Sequence, residues 1–316
     1  MIGIGQRLPN FVRLNWAGSP VMLYDLCCGE AAFVILVKAE QIAAAIATLE
    51  KIQPRAESIR PILLVQAPPG ALPPLHSSLT VLADSDGQVS ARLAEGSPLP
   101  AVIATNRRLE VVAAGPLHEA EAAWRTAVSA AADHAAAPVV MVENVLSAVA
   151  CAALIDMHIK GPATESGVYR PSADGITLQT DRLAKSRRDV LVGDDAMTKH
   201  IGARLAANVA PAMRDYYGFS PRQFEQFKIA CYEAESGGHF AVHRDNTTPD
   251  AQARRVAMTL SLNHGEYDGG GLVFPEYEPR VHEPPLGGAA IFACHLAHRV
   301  LPITRGKRYV LLSFFS

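Results

Sequence analysis

The 316-residue chain predicts two domains of different class. Residues 1–137 read as an α/β layered domain, and residues 138–316 as an antiparallel β sandwich or barrel with two helices packed outside it. Three observations carry this. Continuous apolar runs such as residues 32–37 (AFVILV) alternate with helical patterns in the first part. Periodicity is then lost at Asp133-His134-Ala135-Ala136-Ala137-Pro138. From Phe227 onward, six short β-rich runs follow one another, punctuated by Gly-Gly and Pro.

Taken in order, residues 32–37 are a strand buried on both faces, residues 41–52 a helix, and residues 62–66 another short buried strand. Residues 79–83, 101–104 and 110–113 are further strands, and the alanine-rich stretch 120–136 is a helix. Beyond the boundary, residues 139–142 form a strand and residues 147–160 a helix with Ser147 as its N-cap. Residues 161–181 mix Gly, Pro, Ser and Thr without a period, which reads as a long loop or irregular strands and a candidate lid. Asp195–Tyr217 is a second long helix. The β runs are FKIACY, HFAVH, VAMTLSLN, GLVF, AAIFAC and RYVLLSFF.

At 49% hydrophobic and 19% charged residues, the composition is that of a globular protein. A net charge of −2 gives no electrostatic case for nucleic acid or an anionic membrane as partner. No apolar run approaches the length of a membrane span, and Met1-Ile2-Gly3-Ile4-Gly5-Gln6-Arg7 lacks the pattern of a secretory signal. The five cysteines (Cys27, Cys28, Cys151, Cys231, Cys294) are odd in number and show no CxxC spacing. That favours reduced thiols and a cytoplasmic location.

The chemistry concentrates near the C-terminus. His243-Arg244-Asp245 places two ligands at i and i+2, which point to one side of an extended chain. With His298 they have the sequence form of a 2-His-1-carboxylate facial triad, which binds non-haem Fe(II) and leaves positions open for cosubstrate and oxygen. His298-Arg299-Val300 is followed by Pro302, Gly306 and Arg308. A turn near 304–306 is expected to fold a hairpin that sets Arg308 opposite His298. A guanidinium there can take a carboxylate bidentately. His295 competes with His298 as the distal ligand but falls outside that frame. His239, His264, Arg254 and Arg255 flank the region as candidate substrate contacts.

These parts resemble the Fe(II)/2-oxoglutarate-dependent dioxygenases, in their prolyl-4-hydroxylase-like branch. The resemblance covers PVVMVENVLS from Pro138, Ile229-Ala230-Cys231-Tyr232 before Gly237-Gly238, the His243/Asp245 triplet, Leu260-Ser261-Leu262-Asn263, Gly269-Gly270-Gly271-Leu272-Val273-Phe274 and the His298 to Arg308 frame. It implies a double-stranded β-helix (jelly roll) in which His243, Asp245 and His298 hold iron. It further implies that Arg308 pairs with the distal carboxylate of 2-oxoglutarate and that Tyr232 hydrogen-bonds to the cosubstrate. The implied reaction consumes O2, with ascorbate as a candidate reductant, and releases succinate and CO2 while hydroxylating an aliphatic C–H. The substrate is a prolyl or other amino-acid-derived group in a small molecule, peptide or protein.

The first domain resembles a peroxiredoxin-type thioredoxin fold. The likeness rests on Gly5-Gln6-Arg7-Leu8-Pro9-Asn10-Phe11, the AFVILV strand, Val81-Leu82-Ala83-Asp84-Ser85-Asp86-Gly87 and Pro100-Ala101-Val102-Ile103. It departs at the decisive place. The strand is followed by Lys38-Ala39-Glu40-Gln41, without cysteine or proline, and Cys27 and Cys28 precede the strand. A redox-dead scaffold, with presentation of substrate or a homodimer interface as its role, is therefore expected over a thiol peroxidase. A non-catalytic 2-oxoglutarate, iron or oxygen sensor, or a protein-interaction module, built on the same fold is the remaining alternative.

Overall fold

The computed structural model describes residues 1–52, 58–71, 79–172 and 175–316. The chain divides into two compact units: Met1–Ala136 with Pro275–Glu278, and Ala137–Phe274 with Pro279–Ser316.

In the first unit a seven-stranded sheet runs in the order Pro20–Met22, Val12–Asn15, Thr80–Ala83, Ile59–Gln66, Ala31–Lys38, Ala101–Thr105, Val111–Pro116. The three central strands Thr80–Ala83, Ile59–Gln66 and Ala31–Lys38 are parallel, and Ala101–Thr105 and Val111–Pro116 are antiparallel additions. Ala31–Lys38 shows why an unbroken apolar run suits its centre. Ala31, Phe33, Ile35 and Val37 feed one core, while Ala32, Val34 and Leu36 feed the other. Helices Ile42–Ile52 and Ala120–Ala131 cover the first face, with Trp124 edge-on to Phe33 at 5.0 Å. The second of these helices stops at Ala131, short of the expected 136. Its apolar stripe (Ala120, Ala123, Trp124, Ala127, Ala131) ends there, and residues 132–136 are exposed. Strands Val12–Asn15 and Pro20–Met22 and helices Leu23–Cys27 and Gln88–Ala94 carried too few periods to be read from sequence.

The second unit is built on two antiparallel sheets. The larger has the order Val140–Val142, Ala289–Ala293, Val256–Ser261, Lys307–Phe315, Lys228–Glu233, Arg188–Leu191, Thr164–Glu165. The smaller has the order Lys185–Ser186, His239–His243, His298–Val300, Leu272–Val273, Val281–His282. From Lys228 onward the chain visits large, small, large, small, small, large, small and large sheet in turn, the winding of a double-stranded β-helix. Helix Ala148–Lys160, capped by the Ser147 side chain accepting from the Ala150 N–H, packs on the larger sheet with helix Asp195–Tyr217.

Two expectations change. His298 and Arg308 do not share a hairpin. Strand His298–Val300 pairs with His239–His243 and Leu272–Val273, whereas Lys307–Phe315 pairs with Lys228–Glu233 and Val256–Ser261. Between them Ile303–Arg305 pairs with Asp268–Gly269, so the chain turns a corner from one sheet to the other. The segment 161–181 also contains order: Val168–Ser172 and Gly175–Gln179 form an antiparallel hairpin, while residues 173–174 lie outside the described residues.

Candidate metal centre

The strand His239–His243 lies beside His298–Val300, and a register shift between Phe240 and His243 brings His243 directly opposite His298. Two residues on, Asp245 is pinned by its own N–H donating to the Cys294 carbonyl (3.0 Å) and by Arg254 Nη1 donating to its carbonyl (3.1 Å). Its carboxylate thereby faces both imidazoles. His243 Nε2 lies 3.5 Å from Asp245 Oδ1, and His298 Nε2 lies 3.4 Å from Oδ2. One ligand atom from each of the three residues falls within 4.8 Å of the others, and no other such group of three occurs among the described residues.

The hydrogen bonds orient the rings for ligation. His243 Nδ1 donates to the Ala241 carbonyl (2.8 Å) and His298 Nδ1 to the Leu296 carbonyl (3.0 Å), leaving each Nε2 lone pair turned toward the centre. Burial, and then the neighbouring His243, push the His298 imidazolium down to about 4. Burial opposes charge on Asp245 too, but His298 and His243 outweigh it and hold the carboxyl down to about 2. Phe274 and Phe292 wall in the His298 ring, with centroids 5.9 and 4.6 Å away, and the Phe240 ring stacks on His243 at 3.4 Å. Two imidazoles with Nε2 turned inward and a carboxylate make a donor set that fits a divalent first-row metal.

Arg308 projects from the larger sheet, opposite Tyr232 in register. It is 2% exposed, its guanidinium carbon sits 5.3 Å from the Tyr232 ring, and its Nη1 has no hydrogen-bond partner among the described residues. A buried donor without an acceptor is expensive, so this atom fits a group the chain itself does not supply. Gly270 makes room for it. Its φ is +74°, and a Cβ there would lie 2.7 Å from Arg308 Cδ. Tyr232 is buried, and its hydroxyl accepts from Arg187 Nη1 at 3.1 Å.

The other sequence candidates separate. His295 is exposed, is absent from the triad, and its carbonyl accepts from Arg244 Nη1. His239 holds backbone, with Nδ1 at 2.7 Å from the Gly237 carbonyl and Nε2 at 3.0 Å from the Leu183 carbonyl. His264 packs against Tyr267. Arg254 grips Glu225 (Nη2 to Oε2, 2.8 Å) and covers Phe314 at 3.9 Å, whereas Arg255 is exposed. Cys27 is buried, Cys28 is half-buried, and neither is in a disulfide.

Sequence reading missed two cations. Arg187, also buried, is paired with Asp189 at 2.8 Å and lies over the Tyr232 ring; burial opposes its charge, but Tyr232 and Asp189 raise its pKa further. Lys185, 8% exposed, sits with Nζ 4.7 Å above the Phe240 ring. The signal was present as Lys185-Ser186-Arg187-Arg188-Asp189, cations at i and i+2 of an extended run.

Residues 227–316 match the 2OG-Fe(II) oxygenase superfamily. Members of that superfamily use Fe(II), 2-oxoglutarate and O2. Among curated relatives, a PKHD-type hydroxylase of Pseudomonas putida is 29% identical over 146 residues, covering 43% of this chain and 64% of the relative. A PKHD-type hydroxylase of Synechococcus is 31% identical over 100 residues, 30% of this chain and 44% of that protein. A multifunctional procollagen lysine hydroxylase and glycosyltransferase of Rattus norvegicus is 37% identical over 90 residues, 27% of this chain and 11% of the rat protein. The chain thus spans less than two thirds of the curated relatives it matches. Among solved structures, a Pseudomonas putida prolyl-4-hydroxylase is 22% identical with a TM-score of 0.45, covering 58% of this chain and 94% of that one. A prolyl hydroxylase from Trichoplax adhaerens, solved with a hypoxia inducible factor peptide fragment, is 16% identical with a TM-score of 0.45, covering 56% and 83%. No helix among the described residues is long and apolar enough to cross a membrane.

Proposed function

We propose that this chain is an Fe(II)/2-oxoglutarate-dependent hydroxylase acting on an aliphatic C–H of a prolyl or other amino-acid-derived substrate. The observation that carries this reading is the convergence of His243, Asp245 and His298 in a double-stranded β-helix whose larger sheet carries a buried Arg308 with no acceptor for its Nη1 among the described residues. His243, Asp245 and His298 would hold the iron. When bound, iron with 2-oxoglutarate and O2 supplies the oxidant for C–H hydroxylation, and succinate and CO2 leave. The protein's own part is positioning and exclusion of water. Arg308 offers a planar fork to the distal carboxylate of 2-oxoglutarate, a contact its buried position makes strong. Tyr232, held by Arg187 on its hydroxyl oxygen, keeps its own proton to donate to the cosubstrate. Phe240, Phe274 and Phe292 keep the imidazoles in an apolar setting. The hydroxylase names of the curated relatives support the reaction class.

The first unit we read as a thioredoxin-like scaffold without peroxidatic function. Its strand order Ile59–Gln66, Ala31–Lys38, Ala101–Thr105, Val111–Pro116 supports the fold, and the cysteine-free Lys38-Ala39-Glu40-Gln41 after the central strand supports the loss of thiol chemistry. Conversion of 2-oxoglutarate to succinate by the iron-loaded protein tests the main proposal. His243→Ala or Asp245→Ala should abolish it while His295→Ala keeps it, and full turnover in either of the first two would reject the assignment.

A further inference from the structure

We propose that Lys185 recognises a carboxylate on the prime substrate, seating it over the Phe240 ring beside the candidate metal centre. The proposal rests on the reading above only in giving Arg308 to 2-oxoglutarate. Lys185 belongs to the two-residue strand Lys185–Ser186, which pairs with the strand that bears His243. Its Nζ lies 4.7 Å from the Phe240 centroid, and that ring stacks on His243 at 3.4 Å, so the ammonium is within about 8 Å of the His243 ring. Among the described residues this ammonium has an aromatic face and no carboxylate within ion-pair distance. The nearby Asp189 is already shared by Arg187 at 2.8 Å and Lys228 at 3.8 Å, and Asp245 belongs to the triad.

A lysine 8% exposed with no counter-ion is an unfavourable thing to build, unless an incoming anion completes it. Burial, followed by the Arg187 guanidinium, pushes its ammonium down to about 7, which says the same in another way. A carboxylate arriving there would restore the charge, and the ring below offers an apolar floor for the carbon that bears it. The anion is distinct from the distal carboxylate of 2-oxoglutarate on geometric grounds. Lys185 belongs to the smaller sheet and Arg308 to the larger one, so the two cations are carried by different walls of the β-helix.

The test uses the full chain, loaded with Zn(II) in place of iron and saturated with 2-oxoglutarate. Two pools are presented by ligand-observed NMR: the N-acetyl amino acids, and the same compounds as carboxamides, in which only the aspartate and glutamate members keep an anion. Anionic members should bind the wild type and neutral ones should not. Lys185→Met, which keeps length and volume, should weaken that binding about thirtyfold or more, and Lys185→Arg should retain most of it. The affinity for 2-oxoglutarate should stay within about twofold in both variants, and the Lys185→Met melting point should not fall, because an unpaired buried charge has been removed. Equal binding of neutral and anionic members, failure of every acid to bind the wild type, or undiminished binding by Lys185→Met would each overturn the proposal. So would a matching loss of 2-oxoglutarate affinity in Lys185→Met, which would assign the lysine to the cosubstrate. If the wild type takes neither Zn(II) nor 2-oxoglutarate, the hydroxylase reading fails, and the acid comparison still decides the role of Lys185.

Discussion

Replacing Arg308 separates binding from stability more sharply than any other change to this site. The side chain is 2% exposed, and its Nη1 has no acceptor among the described residues. In the ligand-free chain that orphan is unfavourable by about 1–3 kcal/mol, so Arg308→Met removes a liability along with the Tyr232 contact, and the unfolding free energy should stay level or rise. With 2-oxoglutarate the balance reverses. Losing one partner of a buried charge pair costs about 2–5 kcal/mol, or roughly thirtyfold to several thousandfold in affinity. At a concentration about one hundred times its Kd, the cosubstrate should stabilise the wild type by about 2.7 kcal/mol, and the Met variant at that same concentration by under about 1 kcal/mol. Anaerobic calorimetric titration of the metal-loaded protein gives the affinities, and denaturant unfolding with and without 2-oxoglutarate gives the stabilities. Arg308→Lys, keeping charge without the planar fork, should fall between. An Arg308→Met protein whose 2-oxoglutarate affinity is within about threefold of wild type would refute the reasoning and turn attention to Arg187 or Lys185.

Two further outcomes follow from the same geometry. Gly270→Ala places a Cβ at φ +74° against Ile303 Cδ1 (2.3 Å) and Arg308 Cδ (2.7 Å), so it should destabilise by about 1–3 kcal/mol and weaken 2-oxoglutarate by displacing the guanidinium; calorimetry showing intact affinity would contradict this. The pH dependence of the metal-free fold should carry the signature of His298. Its imidazolium is held down to about 4 in the folded chain against about 6.5 unfolded. Below pH 6.5 the unfolded chain therefore takes a proton that the folded chain refuses. Stability should fall by about 3 kcal/mol between pH 6.5 and 4 and then level off with respect to this group, while Asp245, held down to about 2, adds its own loss only below the usual carboxylate range. Denaturant unfolding across that window reads it, and a flat profile would contradict it.

How much of this was legible depended on how local the signal was. His243, Asp245 and His298 could be grouped from sequence because the HxD spacing and the later His298 frame are local patterns, and the structure gathers the three side chains. The helix Ala148–Lys160 was legible from Ser147 and its apolar spacing, and Ala31–Lys38 from its unbroken hydrophobicity. The relation of His298 to Arg308 was not. A corner strand of three residues, Ile303–Arg305, has no period to read, and its partner Asp268–Gly269 lies more than thirty residues back. Lys185 and Arg187 escaped for a related reason. Their meaning comes from Phe240 and Tyr232, more than forty residues away in sequence, and a run such as KSRRD looks like a solvated face until strand pairing buries it.

The central claim is that His243, Asp245 and His298 hold iron so that it takes 2-oxoglutarate, and the most direct measurement is an anaerobic titration of the Fe(II)-loaded protein with 2-oxoglutarate, followed by visible absorption. A saturable metal-to-ligand charge-transfer band should grow in the wild type and in His295→Ala, and be lost with iron binding in Asp245→Ala and His298→Ala. The absence of any band in iron-loaded wild type, or its persistence in Asp245→Ala, would contradict the claim.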